Sequence, residues 1–131
     1  MTNLNNSNVS VLVTTSFGGK RFANLNKHEI VLRLPNGENV VFPPSGVVCS
    51  VTVKQVKVKE IGGVAIMQNE YSEVSGVPEP QEDTVYIVNA MVQSRLEDRE
   101  DCIAPDTGPT AIREGGQVKA VVRFVGNFDA Y

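Results

Sequence analysis

The chain has 131 residues, enough for one domain with a sizeable core and little more. Apolar residues make up 41% of it, which excludes wholesale disorder, and valine leads among them, which leans toward sheet. A formal net charge of −3 and a pI of about 5.1 argue against a general nucleic-acid binder, which carries a basic face; Lys54, Lys57 and Lys59 cluster locally and leave room for a small basic patch.

The first eight residues, MTNLNNSN, read as a flexible polar N-terminal arm. They hold no basic segment leading into an apolar one, and no apolar run in the chain approaches the ~20 residues that span a bilayer. The expectation is a cytoplasmic protein with no membrane partner. Residues 9–131 then form one mainly antiparallel β domain.

Val9 to Thr15 (VSVLVTT) reads as the first strand, and Gly18-Gly19 as a turn. The Gly-Gly-Lys that follows lacks the spacing of a phosphate loop. Ile30–Leu34 and Asn39–Phe42 flank Pro35-Asn36-Gly37-Glu38, and Asn-Gly between β-rich runs is a strong hairpin signal because both residues accept positive φ. Pro43-Pro44 stops the second strand, since proline donates no ladder hydrogen bond.

In VVCSVTVKQVKVKEI the valine alternation slips by one phase at Lys54-Gln55. A continuous strand would turn its later valines outward, so a β-bulge or break is expected there. Lys57 and Lys59 then face solvent and guard an edge from pairing. Gly62-Gly63 turns the chain into Val64–Met67. Ser75–Asp83 is a proline-rich surface connection with three acids.

Thr84–Val88 is a strand. Asn89 is placed to cap a helix near 89–99, with Val88, Met91, Val92 and Leu96 on its apolar stripe. Glu97, Asp98, Glu100 and Asp101 crowd the C-terminal end of that helix, where the macrodipole disfavours acids, so an early end or another use is indicated. CIAPDTGPT reads as a rigid polar turn region. AIRE and QVKAVVRF pair across Gly115-Gly116. The fold class is therefore mainly β (α+β): an antiparallel twisted sheet or partial barrel with one helix packed against it.

Arg95, Arg99, Asp101, Asp106, Thr107, Thr110 and Arg113 gather in the stretch after the helix. Guanidiniums, hydroxyls and the backbone amides beside Gly108 are the donors that a small anion needs. The same residues equally read as a staple, with Arg99 paired to Glu100, Asp101 or Asp106. Asp106-Thr107-Gly108 reproduces the Asp-Thr-Gly triplet of retroviral-type aspartic proteases, which share a proton between two such aspartates. Those proteases enter the triplet along an apolar strand, whereas here Pro105 and Pro109 flank it. The triplet then reads as a turn in which the aspartate bonds its own backbone two residues on. Cys49 and Cys102 sit among apolar neighbours and read as buried free thiols, and His28 stands alone. No catalytic residue, metal site or cofactor is expected.

NKHEIVLRLPNGENVVFPPSG, GVPEPQEDTVYIVNAMVQSR, the later RED and APDTGPTAIRE, and a terminal VVRF together resemble a family of small uncharacterised phage and prophage proteins. That family carries L-x-x-H-x-I and P-x-S-G, then a Y-I-V strand, then R-x-D and P-D-T-G-P-T. The resemblance spans Asn26 to Phe124 and weakens over residues 1–25. It implies a phage-type context in a bacterial host cell or virion, and no mechanism. The functional expectation is a non-enzymatic accessory protein binding a small anion, for example a nucleotide signal, or a protein partner through 95–113. The alternative is a structural, virion-associated protein that forms a homo-oligomer or larger assembly, and the outsider is a protease-like enzyme.

Overall fold

The computed structural model describes residues 12–126, so the polar N-terminal arm and residues 9–11 of the expected first strand lie outside the described residues; of the rest of that expected strand, Leu12 to Thr14 form no strand and only Thr15 belongs to one. Strand accounts for 48% of the described residues and helix for 4%, so the protein is mainly β with one short helix packed on open sheets, not a closed barrel.

The main sheet holds five strands: β1 (Thr15–Phe17), β2 (Lys20–Asn24), β7 (Thr84–Ile87), β8 (Cys102–Pro105) and β11 (Phe124–Gly126), in the order β1-β2-β7-β8-β11. Three hairpins stand beside it: β3 (Ile30–Arg33) with β4 (Asn39–Phe42), β5 (Val53–Ile61) with β6 (Val64–Tyr71), and β9 (Ile112–Glu114) with β10 (Gln117–Ala120). The turns at Asn36-Gly37, Gly62-Gly63 and Gly115-Gly116 fall where expected.

Antiparallel pairs dominate, as expected, but the middle of the main sheet is parallel: β2 pairs with β7 and β7 with β8 in that sense. This explains why TVYIV is almost continuously apolar. A strand covered on both faces has no polar side to show, and Tyr86, Ile87 and Val88 are all fully buried. On one face Tyr86, Val88, Ala23, Leu25, Cys102 and Ala104 pack against Val92 of the helix and against Cys49. On the other, Ile87 meets Leu32, Phe42 and Val121. Phe42 is the hub of an aromatic cluster there, with ring centroids 5.2 Å from Phe22, 6.3 Å from Phe17 and 6.2 Å from Phe124.

Several elements differ from the sequence expectation, each for a physical reason. The helix α1 spans only Ala90–Ser94 and not 89–99. Asn89 caps it, its side-chain oxygen accepting from the Val92 N–H at 2.8 Å. Arg95 closes it, and Leu96 to Asp101 run on as turns, consistent with acids that oppose the helix dipole. Lys20–Asn24 is a strand despite its polar reading, because its inner residues Ala23 and Asn24 are buried against β7. Cys102–Pro105 is not a turn but β8, held by β7 on one side and β11 on the other. The run QVKAVVRF breaks after Ala120, and Phe124 crosses to β8. The expected bulge exists, but it falls between Lys57 and Lys59, at Val58 and not at Lys54-Gln55.

Asn24 ties these pieces together from a fully buried position. Its side-chain N–H groups donate to the carbonyls of His28 (2.8 Å) and Phe42 (2.9 Å). Its side-chain oxygen accepts from the backbone N–H of Asn26 (2.9 Å), and its own carbonyl accepts from Ser45 N–H (2.8 Å). One carboxamide thereby fixes both the entry and the exit of the β3–β4 hairpin against β2. Asn24→Asp replaces the NH2 donor by an acceptor facing two carbonyls. We expect a loss of about 3 kcal/mol or more in urea unfolding at pH 7, with a smaller loss at pH 3, where the carboxyl regains a proton to donate.

Candidate functional site

The residues singled out in 95–113 do not form one cluster. β8 separates them into two groups, one ahead of it and one behind it.

Ahead of β8, Arg99 grips Asp101 with two hydrogen bonds, Nε to Oδ1 at 2.8 Å and Nη2 to Oδ2 at 3.0 Å. Nη2 also donates to the Pro78 carbonyl at 2.9 Å. Both side chains are about four-fifths buried, so this is a bidentate pair largely out of water. Burial alone would raise the Asp101 carboxyl. The Arg99 hydrogen bonds and charge outweigh that and hold it below its ordinary range. The hydrogen bonds that Arg99 donates to Asp101 in turn raise Arg99. Arg95 takes a third path: its guanidinium carbon lies 4.1 Å from the Tyr71 ring centroid, a cation–π contact at the root of β6.

Behind β8, Asp106 Oδ1 accepts from the Gly108 N–H at 3.0 Å, the turn bond expected of Asp-Thr-Gly. Its Oδ2 accepts from Arg123 Nε at 2.7 Å. Those two bonds, the Arg123 one foremost, keep its carboxyl below the ordinary range. Arg113 Nη2 donates to the Thr107 carbonyl, and Thr110 is exposed in the following turn. The partners Tyr71, Pro78 and Arg123 were missing from the sequence reading. They lie 24, 21 and 17 residues from the groups they meet, and only the folded sheet brings them near. Both cysteines are buried free thiols, and burial foremost pushes Cys102 up to about 12. Among the described residues no three His, Cys, Asp or Glu side chains group to hold a metal ion, and no helix is long and apolar enough to cross a membrane.

Two other features stand out on the surface. The β5–β6 hairpin is nine and eight residues long, and almost all of it is exposed. Both outer edges are unpaired within the described sheets. Its root is clamped: Ser50 and Ser75 exchange two backbone hydrogen bonds at 2.9 Å, and Ser72 Oγ accepts from Thr52 N–H at 2.9 Å. Gly76 completes the clamp, since a Cβ there would run into the Val48 carbonyl. Beyond this root the hairpin carries Val58, Ile61, Val64, Ile66 and Met67 in solvent, with Ile61 58% and Val64 62% exposed. A two-stranded ribbon alone is marginal in water, so such apolar exposure calls for a cover.

The second feature follows from the parallel strands. Because β7 and β8 run the same way, the acids before each of them come to the same end of the sheet: Glu79, Glu82 and Asp83 before β7, and Glu97, Asp98, Glu100 and Asp101 before β8. There an open groove of about 480 Å³ has Phe22, Val85 and Ile103 on its apolar floor and Lys20, Asp83, Glu100 and Asp101 around them.

Comparison with protein-family models, with curated proteins and with solved structures finds no match to the chain.

The Asp101 pair makes a pH prediction. A carboxylate whose folded pKa is depressed contributes its stability in full above its ordinary value near ~4 and loses it as pH falls toward the folded value. Asp101→Asn should therefore lower stability by about 2 kcal/mol at pH 7. The gap to the parent should narrow as the pH of the urea titration is brought from 5 to 3.

Proposed function

We propose that this protein is a non-enzymatic accessory protein that acts by contact with a protein partner, and that the β5–β6 hairpin is the arm that makes the contact. The observation that carries this reading is the clamped root with a bare apolar end. Nine residues of strand reach roughly 30 Å, and among the described residues the arm meets no other strand to any substantial extent. Exposed apolar patches of this kind, rimmed by charge, mark interaction surfaces. The phage-type context rests on the sequence resemblance.

The small-anion reading of 95–113 draws less support. Arg99 is committed to Asp101 and Pro78, Arg113 to Thr107, and Arg95 lies against Tyr71. An anion would have to displace those partners before it gained a donor. Enzymatic readings draw less still. Asp106 is held ionised by Arg123, whereas a shared-proton dyad needs one carboxyl held protonated, and buried thiols with raised pKa are poor nucleophiles.

A photo-crosslinking amino acid placed at Ile66 in producing cells tests the reading, with Lys119 as the control position. Ile66 should yield a discrete protein adduct that Lys119 does not. Equal labelling at the two positions, or a copurifying small anion lost on Arg113→Ala, would contradict it.

A further inference from the structure

We infer that the partner of the arm is a second copy of this chain, and that the arm docks in the acidic groove at the β7–β8 end of its neighbour. This rests on the reading of the hairpin as a contact arm and specifies what the arm contacts.

The argument is one of complementarity. In the β5–β6 register, Lys59 lies opposite Ile66 and Ile61 opposite Val64. Side chains alternate along a strand, so these four share one face of the ribbon. That face offers three aliphatic side chains and one ammonium, and Lys59 has no ion-pair partner among the described residues. The groove offers the reverse. Its floor is Phe22, Val85 and Ile103, and its rim carries three acids, Asp83, Glu100 and Asp101, against one cation, Lys20. Glu100 is likewise in no ion pair among the described residues, and Asp83 has only a long, exposed contact with Lys20 at 3.9 Å. An aliphatic ribbon end seated on the floor would bring Lys59 to that rim. Like-charged partners are disfavoured there, and steering of a cation toward an acidic patch accelerates encounter.

The two halves do not meet within one chain. The groove is lined from β2, β7, β8 and the turns before them, with no residue of β5 or β6. The arm springs from the Ser50–Ser75 clamp, beside Arg95 and past the C-terminal end of β7, whereas the groove sits at the N-terminal ends of β7 and β8. A surface that fits a different surface of the same molecule joins copies head to tail, giving a ring if the rotation closes and a filament if it does not.

Analytical ultracentrifugation of the purified full chain tests this across a concentration series. The parent should associate with rising concentration, and more weakly in high salt. Lys59→Glu and Glu100→Lys should each weaken association by at least about tenfold, with circular dichroism unchanged, since both side chains are exposed. Mixing the two variants should restore association, because each supplies the charge that the other lacks. Ile61→Ser should weaken association without altering its salt dependence. A parent that stays monomeric at every concentration overturns the inference. So does association that the charge variants leave unmoved, or that their mixture fails to restore. A monomeric parent whose Ile66 position still crosslinks a different protein in cells overturns the second-copy assignment and leaves the arm reading standing. Loss of both results removes the two together.

Discussion

The buried Asn24 carboxamide is the constraint on which the arrangement depends. β2 lies in the middle of a mixed sheet, between an antiparallel edge hairpin and a parallel neighbour more than sixty residues away in sequence. The chain must leave that strand, form β3–β4 and return over the same face. Asn24 holds both crossings, at His28 and at Phe42, with the donors of one amide. Fixing Phe42 also fixes the aromatic cluster over Ile87. Buried polar groups are costly unless every bond is made, and here donors and acceptor are all used. A fully satisfied amide can therefore specify a geometry that apolar packing alone would leave degenerate.

With that face closed and the helix covering the other, the surface is left with an uneven division. Parallel β7 and β8 collect acids at one end of the sheet, where they surround an apolar floor. The clamped ribbon carries lysines and aliphatic side chains away from the body. Neither feature adds stability to the isolated chain. Exposed aliphatics gain nothing from water, and like charges gathered at one end repel. Each becomes favourable only when something covers it. Two arginines, by contrast, are committed within the chain: Arg99, largely buried, pairs with Asp101, and Arg123, at the surface, pairs with Asp106, at the two ends of β8.

What the sequence made legible was what local rules encode. Asn36-Gly37, Gly62-Gly63 and Gly115-Gly116 announced their hairpins because glycine takes positive φ freely, as Gly37, Gly62, Gly63, Gly115 and Gly116 do, whereas Asn36, expected to share it, does not. Asn89 announced a cap because its side-chain oxygen reaches the N–H three residues on, and the staple reading of Arg99 with Asp101 was available from their two-residue spacing. The extent of α1 was not legible from its apolar stripe, since Leu96 continues the stripe but packs from a turn. β2 stayed hidden because KRFAN looks polar and its partner is distant. β8 was masked by Pro105, which sits at the last position of the strand. The phase slip in the valines did signal a bulge, displaced to Val58. No local pattern tells that the ribbon around it stands bare on both faces, because that depends on what the rest of the chain leaves uncovered.

Hydrogen–deuterium exchange resolved along the chain, across a dilution series of the purified protein, tests the central claim most directly. The account predicts slow exchange in β2, β7 and β8 at every concentration. It predicts fast exchange in β5 and β6 at high dilution, and protection that appears together in β6 and in the turn carrying Glu100, ahead of β8, as concentration rises. An arm equally protected at every dilution would contradict it, because such an arm would already be ordered without a partner.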